Sequence, residues 1–352
     1  MSRPAYYPEP DVSELSIAEA EQKYGPALYR EPDDLKSHTP VINVALAPFE
    51  IEQSHKFPLW DLLKDAPVPK TIQIEVRLKP PNENIVVYNA EYKFDRYRRR
   101  KVENQDTKLN ASQFILSLGD SLTFGEGVTT GHDYPSQLAK KLSADYFIYN
   151  YGKPGFGPND LLFRLQTNLE SFKDVKQNEG IVIWNFIRAQ IDRAAYGFPS
   201  YMNSNNYYIS NKPRYELILN KPVYLGKFSE TVPFSQKLLQ LLKNSETMKF
   251  VTDYLEVKYN VNEYKIFVAL LKEIKIILEQ SKNLKKFYLL NLYGSYRDPI
   301  LFELLQEAGI EVIDFTFVPK IDNKSRIPYE GHPNAAHYWF LTEMLKKTIA
   351  SP

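Results

Sequence analysis

From Gln113 onward, short apolar runs alternate with longer segments of helical periodicity, and this alternation restricts the fold more than any other feature of the chain. Five runs are short and rich in β-branched or aromatic residues, as expected of buried strands. They lie at residues 114–118, 146–150, 181–186, 287–291 and 311–315. Such alternation is typical of a parallel sheet covered by helices on both faces. We therefore predict a three-layer α/β/α fold with a five-stranded, mainly parallel sheet.

The helical segments have apolar stripes and clear starting residues. They are predicted at residues 134–143, 158–171, 262–280, 299–308 and 333–349. In the segment 262–280 the apolar side chains repeat at helical spacing and form a single stripe, which should pack on the sheet. Several of the segments begin with proline, which suits the first turn of a helix.

The N-terminal part, residues 1–112, is predicted to be separate from the domain formed by residues 113–352. Residues 1–66 are rich in proline and charge, which favours a loosely ordered arm with a short helix at 13–23. Alternating patterns at 71–79 and 87–94 predict a β-hairpin. The basic run 96–101 that follows is either a solvated charged face or a contact for a substrate anion.

A long tyrosine-bearing segment interrupts the second domain at about residues 195–261. It lacks clear strand character, and loops of this length are usually functional or disordered. We expect a cap above the carboxyl edge of the sheet, where open α/β sheets bind their ligands.

Composition excludes several classes of function. The 352 residues contain 44 lysines and arginines against 43 aspartates and glutamates, so no overall field gathers nucleic acid. With no cysteine there is no disulfide and no thiolate nucleophile or metal ligand. No apolar stretch is long enough to span a membrane, and the first ten residues lack the apolar core of a signal peptide. The compartment stays open, with a slight preference for the cell envelope if a leader was removed.

The sequence Gly-Asp-Ser-Leu-Thr-Phe-Gly-Glu-Gly at 119–127 directly follows the first apolar strand. Ser121 would therefore lie at the carboxyl edge of the sheet, where backbone N–H groups of the next segment can stabilise negative charge. A tight turn with a capping serine is the alternative interpretation. The threonine at 123 excludes the Gly-x-Ser-x-Gly elbow of the α/β-hydrolases. The glycines at 125 and 127 lack the third glycine of a dinucleotide site, and no metal-binding or phosphate-binding motif is present.

A histidine that can serve Ser121 as a base lies 211 residues later. His332 opens the last helical segment, and parallel strands can return it to the same sheet edge. A serine needs such a base within about 2.6 to 3.2 Å, and the base needs a carboxylate to fix its tautomer. Glu330 is the nearest candidate in the sequence. His337, inside the helical segment, is expected to be a packing or surface residue.

These motifs resemble the SGNH (GDSL-like) hydrolases, in which a serine, a glycine, an asparagine and a histidine stand in four blocks. The first block is similar to residues 119–122, the second to Asn150-Tyr151-Gly152-Lys153-Pro154-Gly155-Phe156-Gly157, and the last to Glu330-Gly331-His332-Pro333-Asn334. The resemblance covers residues 113–352. It implies a flavodoxin-like fold, Ser121 as nucleophile, His332 as base, Glu330 in place of the family's aspartate, and the N–H groups of Ser121 and Gly155 as oxyanion donors.

The third block departs from the family, which usually has Gly-x-Asn-Asp after the third strand. This chain has Trp-Asn-Phe-Ile-Arg-Ala-Gln-Ile-Asp at 184–192. We align Gln190 with the family's asparagine, because a glutamine amide is the same donor one methylene further out. Asn185 is the alternative.

The resemblance implies a serine esterase that acts on an ester or O-acyl group through an acyl-enzyme, without cofactor or metal. The expected substrate is a small-molecule or carbohydrate ester, with an O-acetylated carbohydrate favoured if the tyrosines of the cap stack on sugar rings. An O-acetyltransferase with the same residues, a catalytically inactive binding module and a scaffold protein are the alternatives. The oligomeric state is not predicted.

Overall fold

The computed structural model describes residues 41–46, 49–53, 71–77, 86–195, 212–231, 260–291, 298–315, 326–327 and 331–350. The strands are β1 Val41–Leu46, β2 Phe49–Gln53, β3 Thr71–Arg77, β4 Val86–Lys93, β5 Gln113–Leu118, β6 Tyr146–Asn150, β7 Glu179–Phe186, β8 Pro213–Ile218, β9 Lys221–Lys227, β10 Asn283–Asn291 and β11 Glu311–Asp314. The helices are α1 Ser121–Phe124, α2 Tyr134–Lys141, α3 Pro158–Gln166, α4 Ala189–Ala195, α5 Phe228–Thr231, α6 Val261–Glu279, α7 Pro299–Glu307 and α8 Ala335–Ala350. A short 3-10 helix spans Asp106–Lys108.

Five strands form one sheet in the order β11-β10-β7-β5-β6. The pairs β5–β6, β7–β10 and β10–β11 are parallel. The predicted α/β class with a five-stranded parallel sheet is therefore confirmed, and each strand lies where the apolar pattern placed it. Strands β7 and β10 begin earlier than predicted, at Glu179 and Asn283, because most of the added residues are polar, charged or glycine and so carry no continuous apolar signal.

The chain divides into two compact units, one of residues 1–155 with 318–352 and the other of residues 156–317. In the first unit α2 packs against α8, and the side chains of β5 from Phe114 to Leu118 are fully buried. In the second unit α6 packs against α3, α4 and α7 through its apolar stripe. Within the described ranges, no helix is both long enough and apolar enough to cross a membrane.

The N-terminal region contains more strand than the sequence indicates. The predicted hairpin exists as β3 and β4, and β1 and β2 extend it to an antiparallel sheet in the order β2-β1-β3-β4. The expectation of a loosely ordered arm is thus wrong for β1 and β2. Strand β2 pairs only with its neighbour β1, and β1 pairs with β3, which lies about thirty residues further along, so a local pattern cannot reveal how the two join the sheet. The helix expected at 13–23 lies outside the described residues, and the division at 112/113 stays a prediction.

The segment 195–261 also contains strands, contrary to expectation. Strands β8 and β9 form an antiparallel hairpin whose turn residues, Leu219 and Asn220, have φ angles of 51° and 61°. Two-residue hairpin turns of this kind favour Asn-Gly or Asp-Gly. Because Leu-Asn stands there instead, and prolines begin or interrupt both strands, residues 213–227 carry no hairpin signal. Helix α5 follows the hairpin, and most of the remaining segment lies outside the described residues, so the cap stays a prediction.

Candidate active site

Ser121 is the first residue of α1, immediately beyond the carboxyl end of β5. Asp120 caps this short helix, since its carboxylate accepts the N–H of Leu122 at 3.2 Å. Because the first N–H groups of a helix have no acceptor within the helix, the Ser121 N–H points out of the turn. The side chain of Ser121 is 7% exposed. The predicted strand–turn–helix context of this serine is therefore present.

The structure brings Ser121 and His332 together. The Nε2 atom of His332 lies 2.7 Å from the Oγ atom of Ser121, which is hydrogen-bond distance. The backbone of His332 is fixed, because Ile327 donates its N–H to the His332 carbonyl at 2.8 Å. Tyr338, one turn into α8, donates its hydroxyl to the Leu122 carbonyl at 2.9 Å. The last helix is thus tied to the turn that carries Ser121.

The loop after β6 is fixed against the same turn. The Asn150 side chain donates to the Thr123 carbonyl at 3.0 Å and accepts the Gly152 N–H at 2.9 Å. A Cβ atom at Gly152 would lie 2.3 Å from the backbone nitrogen of Phe124, so only glycine permits this approach. The second motif block therefore contacts the first directly. Gly155 follows in the same loop with a φ of 75°, and its role as oxyanion donor stays a prediction.

Arg100 also binds the turn that carries Ser121. Its guanidinium donates to the carbonyls of Phe124, Gly125 and Val128, and its side chain is fully buried. The Asp133 carboxylate, also fully buried, lies 3.7 Å from its Nε atom and balances its charge. The interpretation of residues 96–101 as a solvated charged face is therefore wrong for Arg100, and for Arg99, which is 5% exposed. The carbonyls of Phe124, Gly125 and Val128 accept hydrogen bonds from Arg100, and the charge pattern of residues 96–101 alone does not reveal this role.

The N-terminal sheet also contacts the turn that carries Ser121. The Tyr92 hydroxyl of β4 accepts the Gly127 N–H at 2.7 Å, and its ring lies under the Arg100 guanidinium. The hydroxyls of Thr129 and Thr130 accept the N–H groups of Glu91 and Lys93. The region before residue 113 therefore takes part in positioning Ser121.

A carboxylate that the sequence analysis missed lies beside the imidazole. Glu126 Oε2 is 3.9 Å from Nε2 of His332. Its position between the glycines at 125 and 127, in the stretch that follows the Gly-Asp-Ser-Leu block, is the local signal, but nothing in that stretch indicates which partner the carboxylate meets. Glu330, the predicted orienting carboxylate, lies outside the described residues, and its role stays a prediction.

The amides of the third block lie in the second unit and are both fully buried. The Gln190 side chain accepts the indole N–H of Trp184 at 2.7 Å and donates to the Asn185 carbonyl at 2.9 Å. The side-chain amide of Asn185 has no hydrogen-bond partner among the residues that the structure describes. Gln190 thus has one amide proton committed to the backbone, whereas the amide of Asn185 has both functions to offer.

His337 is a packing residue, as one of the two expectations had it. It is 2% exposed, and burial, together with the positive charge of Arg326, lowers the pKa of its imidazole to about 3. Its ring stays neutral at ordinary pH and lies 6.3 Å from the Tyr338 ring. His332, at 21% side-chain exposure, is accessible and suited to proton transfer.

No family model matches the chain, and no curated protein matches it. Solved structures similar to it include LAE5, an α/β hydrolase from the metagenome of Lake Arreo, at 13% identity over 70% of this chain and 100% of that chain, with a TM-score of 0.37. The acetyl xylan esterase Est2A of Butyrivibrio proteoclasticus is 13% identical over 68% of this chain and 63% of its own, with a TM-score of 0.39. A lipolytic G-D-S-L family member of Veillonella parvula is 13% identical over 68% and 98%, with a TM-score of 0.34. At this identity the likeness concerns the fold alone.

Proposed function

We propose that the protein is a serine esterase that hydrolyses an ester or O-acyl group through an acyl-enzyme on Ser121. The observation that carries the proposal is the 2.7 Å distance between Ser121 Oγ and His332 Nε2. A serine hydroxyl is a poor nucleophile unless a base within hydrogen-bond reach takes its proton. The two residues are 211 positions apart, so their contact is made by the fold and not by local chain connectivity.

In the proposed reaction the Ser121 oxygen attacks the ester carbonyl while His332 Nε2 takes the hydroxyl proton. The tetrahedral intermediate then collapses, the bond between the carbonyl carbon and the alcohol oxygen breaks, and Nε2 gives its proton to that oxygen. Water attacks the acyl-enzyme in the second half, again with its proton passing to Nε2. The bond between the acyl carbon and the Ser121 oxygen then breaks, Nε2 returns its proton to that oxygen, and the carboxylic acid leaves with Ser121 regenerated. Glu330 is proposed to orient the imidazole.

The oxyanion that forms in each half needs donors already in place. We assign this role to the backbone N–H groups of Ser121 and Gly155 and to the Gln190 amide. Support for the first comes from its position in the first turn of α1. The second lies in the loop that Asn150 and Gly152 fasten to that turn.

A fluorophosphonate tests the nucleophile, with intact-mass analysis as the readout. The wild-type chain should gain one adduct, and the Ser121→Ala and His332→Ala variants should gain none or gain it far more slowly. Ser143→Ala is the matched control, because Ser143 is exposed and bonds Asp145 rather than a histidine. An unlabelled wild type would remove the esterase proposal and favour the inactive binding module.

The acyl half of the substrate is proposed to be short, with an O-acetyl carbohydrate as the first class to test. Acetyl and octanoyl esters of one alcohol separate the possibilities by their kcat/KM values. A preference for octanoyl would contradict the carbohydrate proposal. Faster acyl transfer to an added sugar than to water would indicate the O-acetyltransferase.

A further inference from the structure

The carboxylate of Glu126 has no part in the reaction proposed above, although its Oε2 atom lies 3.9 Å from His332 Nε2. Both side chains are about one-fifth exposed, so a bound molecule can reach them from solvent. Glu126 therefore faces the same ring nitrogen that contacts Ser121.

The choice of nitrogen decides what the carboxylate can do. A carboxylate that orients a catalytic histidine bonds Nδ1, the nitrogen turned away from the nucleophile. Nε2 is the atom that hands its proton to the departing alcohol oxygen. During acylation that oxygen must lie within about 3 Å of Nε2. The Glu126 carboxylate is consequently next to the alcohol half of the ester.

The backbone of Glu126 is firmly held, so this position is built into the turn. The Glu126 N–H donates to the Ser121 carbonyl at 3.0 Å. On one side Gly125 has a φ of 81°, and a Cβ there would lie 2.5 Å from that of Asp133. On the other side the Gly127 N–H bonds the Tyr92 hydroxyl. A change at residue 126 that keeps the side-chain length thus alters the charge without moving the turn.

We propose that Glu126 is a specificity-determining residue that recognises the alcohol half of the substrate. Its carboxylate accepts a hydrogen bond from a free hydroxyl close to the ester oxygen and repels an alcohol half that carries negative charge. This selects monoacylated polyols with a neighbouring free hydroxyl over simple alkyl esters. The inference rests on the esterase proposal above.

The first test compares ethyl acetate with 2-hydroxyethyl acetate, which differ by one hydroxyl on the alcohol half. The wild type should prefer the hydroxylated ester by about tenfold in kcat/KM, the effect of a hydrogen bond to a charged group. In Glu126→Gln this preference should fall towards unity. The third ester is the acetate of glycolate, whose alcohol half is anionic, and the same substitution should raise its kcat/KM relative to ethyl acetate.

Glu103→Gln is the matched control, because the Glu103 carboxylate pairs with Lys93 rather than with His332. It should keep the wild-type ratios among the three esters. Opposite shifts for the hydroxylated and anionic esters in Glu126→Gln support the inference, since a merely structural loss lowers all three together. Equal losses, or unchanged ratios in an active variant, overturn it. A wild type that neither hydrolyses these esters nor reacts with the phosphonate overturns the esterase proposal itself.

Discussion

The turn that carries Ser121 follows strand β5, and the segment from Trp184 to Gln190 spans the end of strand β7, yet the two use their polar groups in opposite ways. In the turn the backbone carbonyls accept hydrogen bonds from Arg100, Asn150 and Tyr338. The Gly127 N–H donates to the Tyr92 hydroxyl, and the Ser121 hydroxyl is directed at an imidazole. In the second segment the Gln190 amide is itself bonded to the interior through its oxygen and one of its two protons, which leaves only the second proton for the proposed oxyanion role.

The difference teaches that a residue type in the right order is not yet a functional group. A side chain becomes available for chemistry when its neighbours satisfy the backbone around it. Ser121 meets this condition through contacts made by residues from four distant parts of the chain. Gln190 satisfies a tryptophan and a backbone carbonyl of its own segment, whereas the nearby Asn185 amide is left for another partner.

The largest expected effect is the loss of the Ser121–His332 pair. Ser121→Ala and His332→Ala should each lower kcat for an acetate ester by roughly 10³ to 10⁶-fold, and the double variant should lose little more. Non-additivity is expected because the two groups act as one unit. His132→Ala serves as the control histidine and should keep most activity. Additive losses would show that the two side chains work independently.

The next effect concerns the support beneath the turn. Arg100→Met leaves the fully buried Asp133 carboxylate without its opposite charge and three carbonyls without their donor, so the free energy of unfolding should fall by about 3 to 5 kcal/mol. Urea denaturation measures this loss. Arg96→Met, at an exposed position of the same basic run, should change stability by no more than about 0.5 kcal/mol.

Arg100→Lys keeps the charge but not the fork of donors that reaches three carbonyls. The variant should still fold, but its Ser121 should react with the phosphonate more slowly than that of the wild type, because the turn is held by fewer hydrogen bonds. Equal stability losses at positions 96 and 100 would favour the interpretation of residues 96–101 as a solvated charged face. They would also weaken the contrast between the two regions.

Much of this arrangement is encoded locally, and the rest is not. The apolar runs specify the five strands, and the Gly-Asp-Ser-Leu block specifies a serine at a strand end. The buried state of Arg100 and the pairing of β1 with β3 depend on partners far along the chain, which no local pattern contains. Glu126 was overlooked because its meaning arises only when the loop before α8 returns His332 to it.

The amide pair provides the next prediction. Gln190→Met leaves the Trp184 indole and the Asn185 carbonyl unsatisfied, so it should cost about 1 to 3 kcal/mol of stability. Asn185→Leu removes an amide without a described partner and should be neutral or stabilising. Thermal denaturation compares the two variants.

Kinetics of the same variants identify the oxyanion donor. Loss of a side-chain donor typically lowers kcat by about 10² to 10³-fold. We expect that loss in Gln190→Met, because the second amide proton of Gln190 is proposed to bind the oxyanion. If only Asn185→Leu shows it, the role belongs to Asn185, and the alignment of the third block shifts by five residues.

The smallest expected effect concerns His337, the buried histidine in the first turn of α8. Burial lowers the pKa of folded His337 to about 3, whereas an unfolded histidine titrates near 6.5. Between these values the unfolded chain binds more protons, so His337 makes stability fall as the pH drops below about 6.5, by up to about 1.4 kcal/mol per pH unit. Above that pH the residue is neutral in both states and contributes no slope. His337→Leu should therefore gain on the wild type as the solution is acidified from pH 6.5 to 4.5, measured by urea denaturation at each pH. The difference between the two proteins at pH 7.5 is the internal reference, and parallel stability curves throughout would show that the buried imidazole is not what acid destabilises.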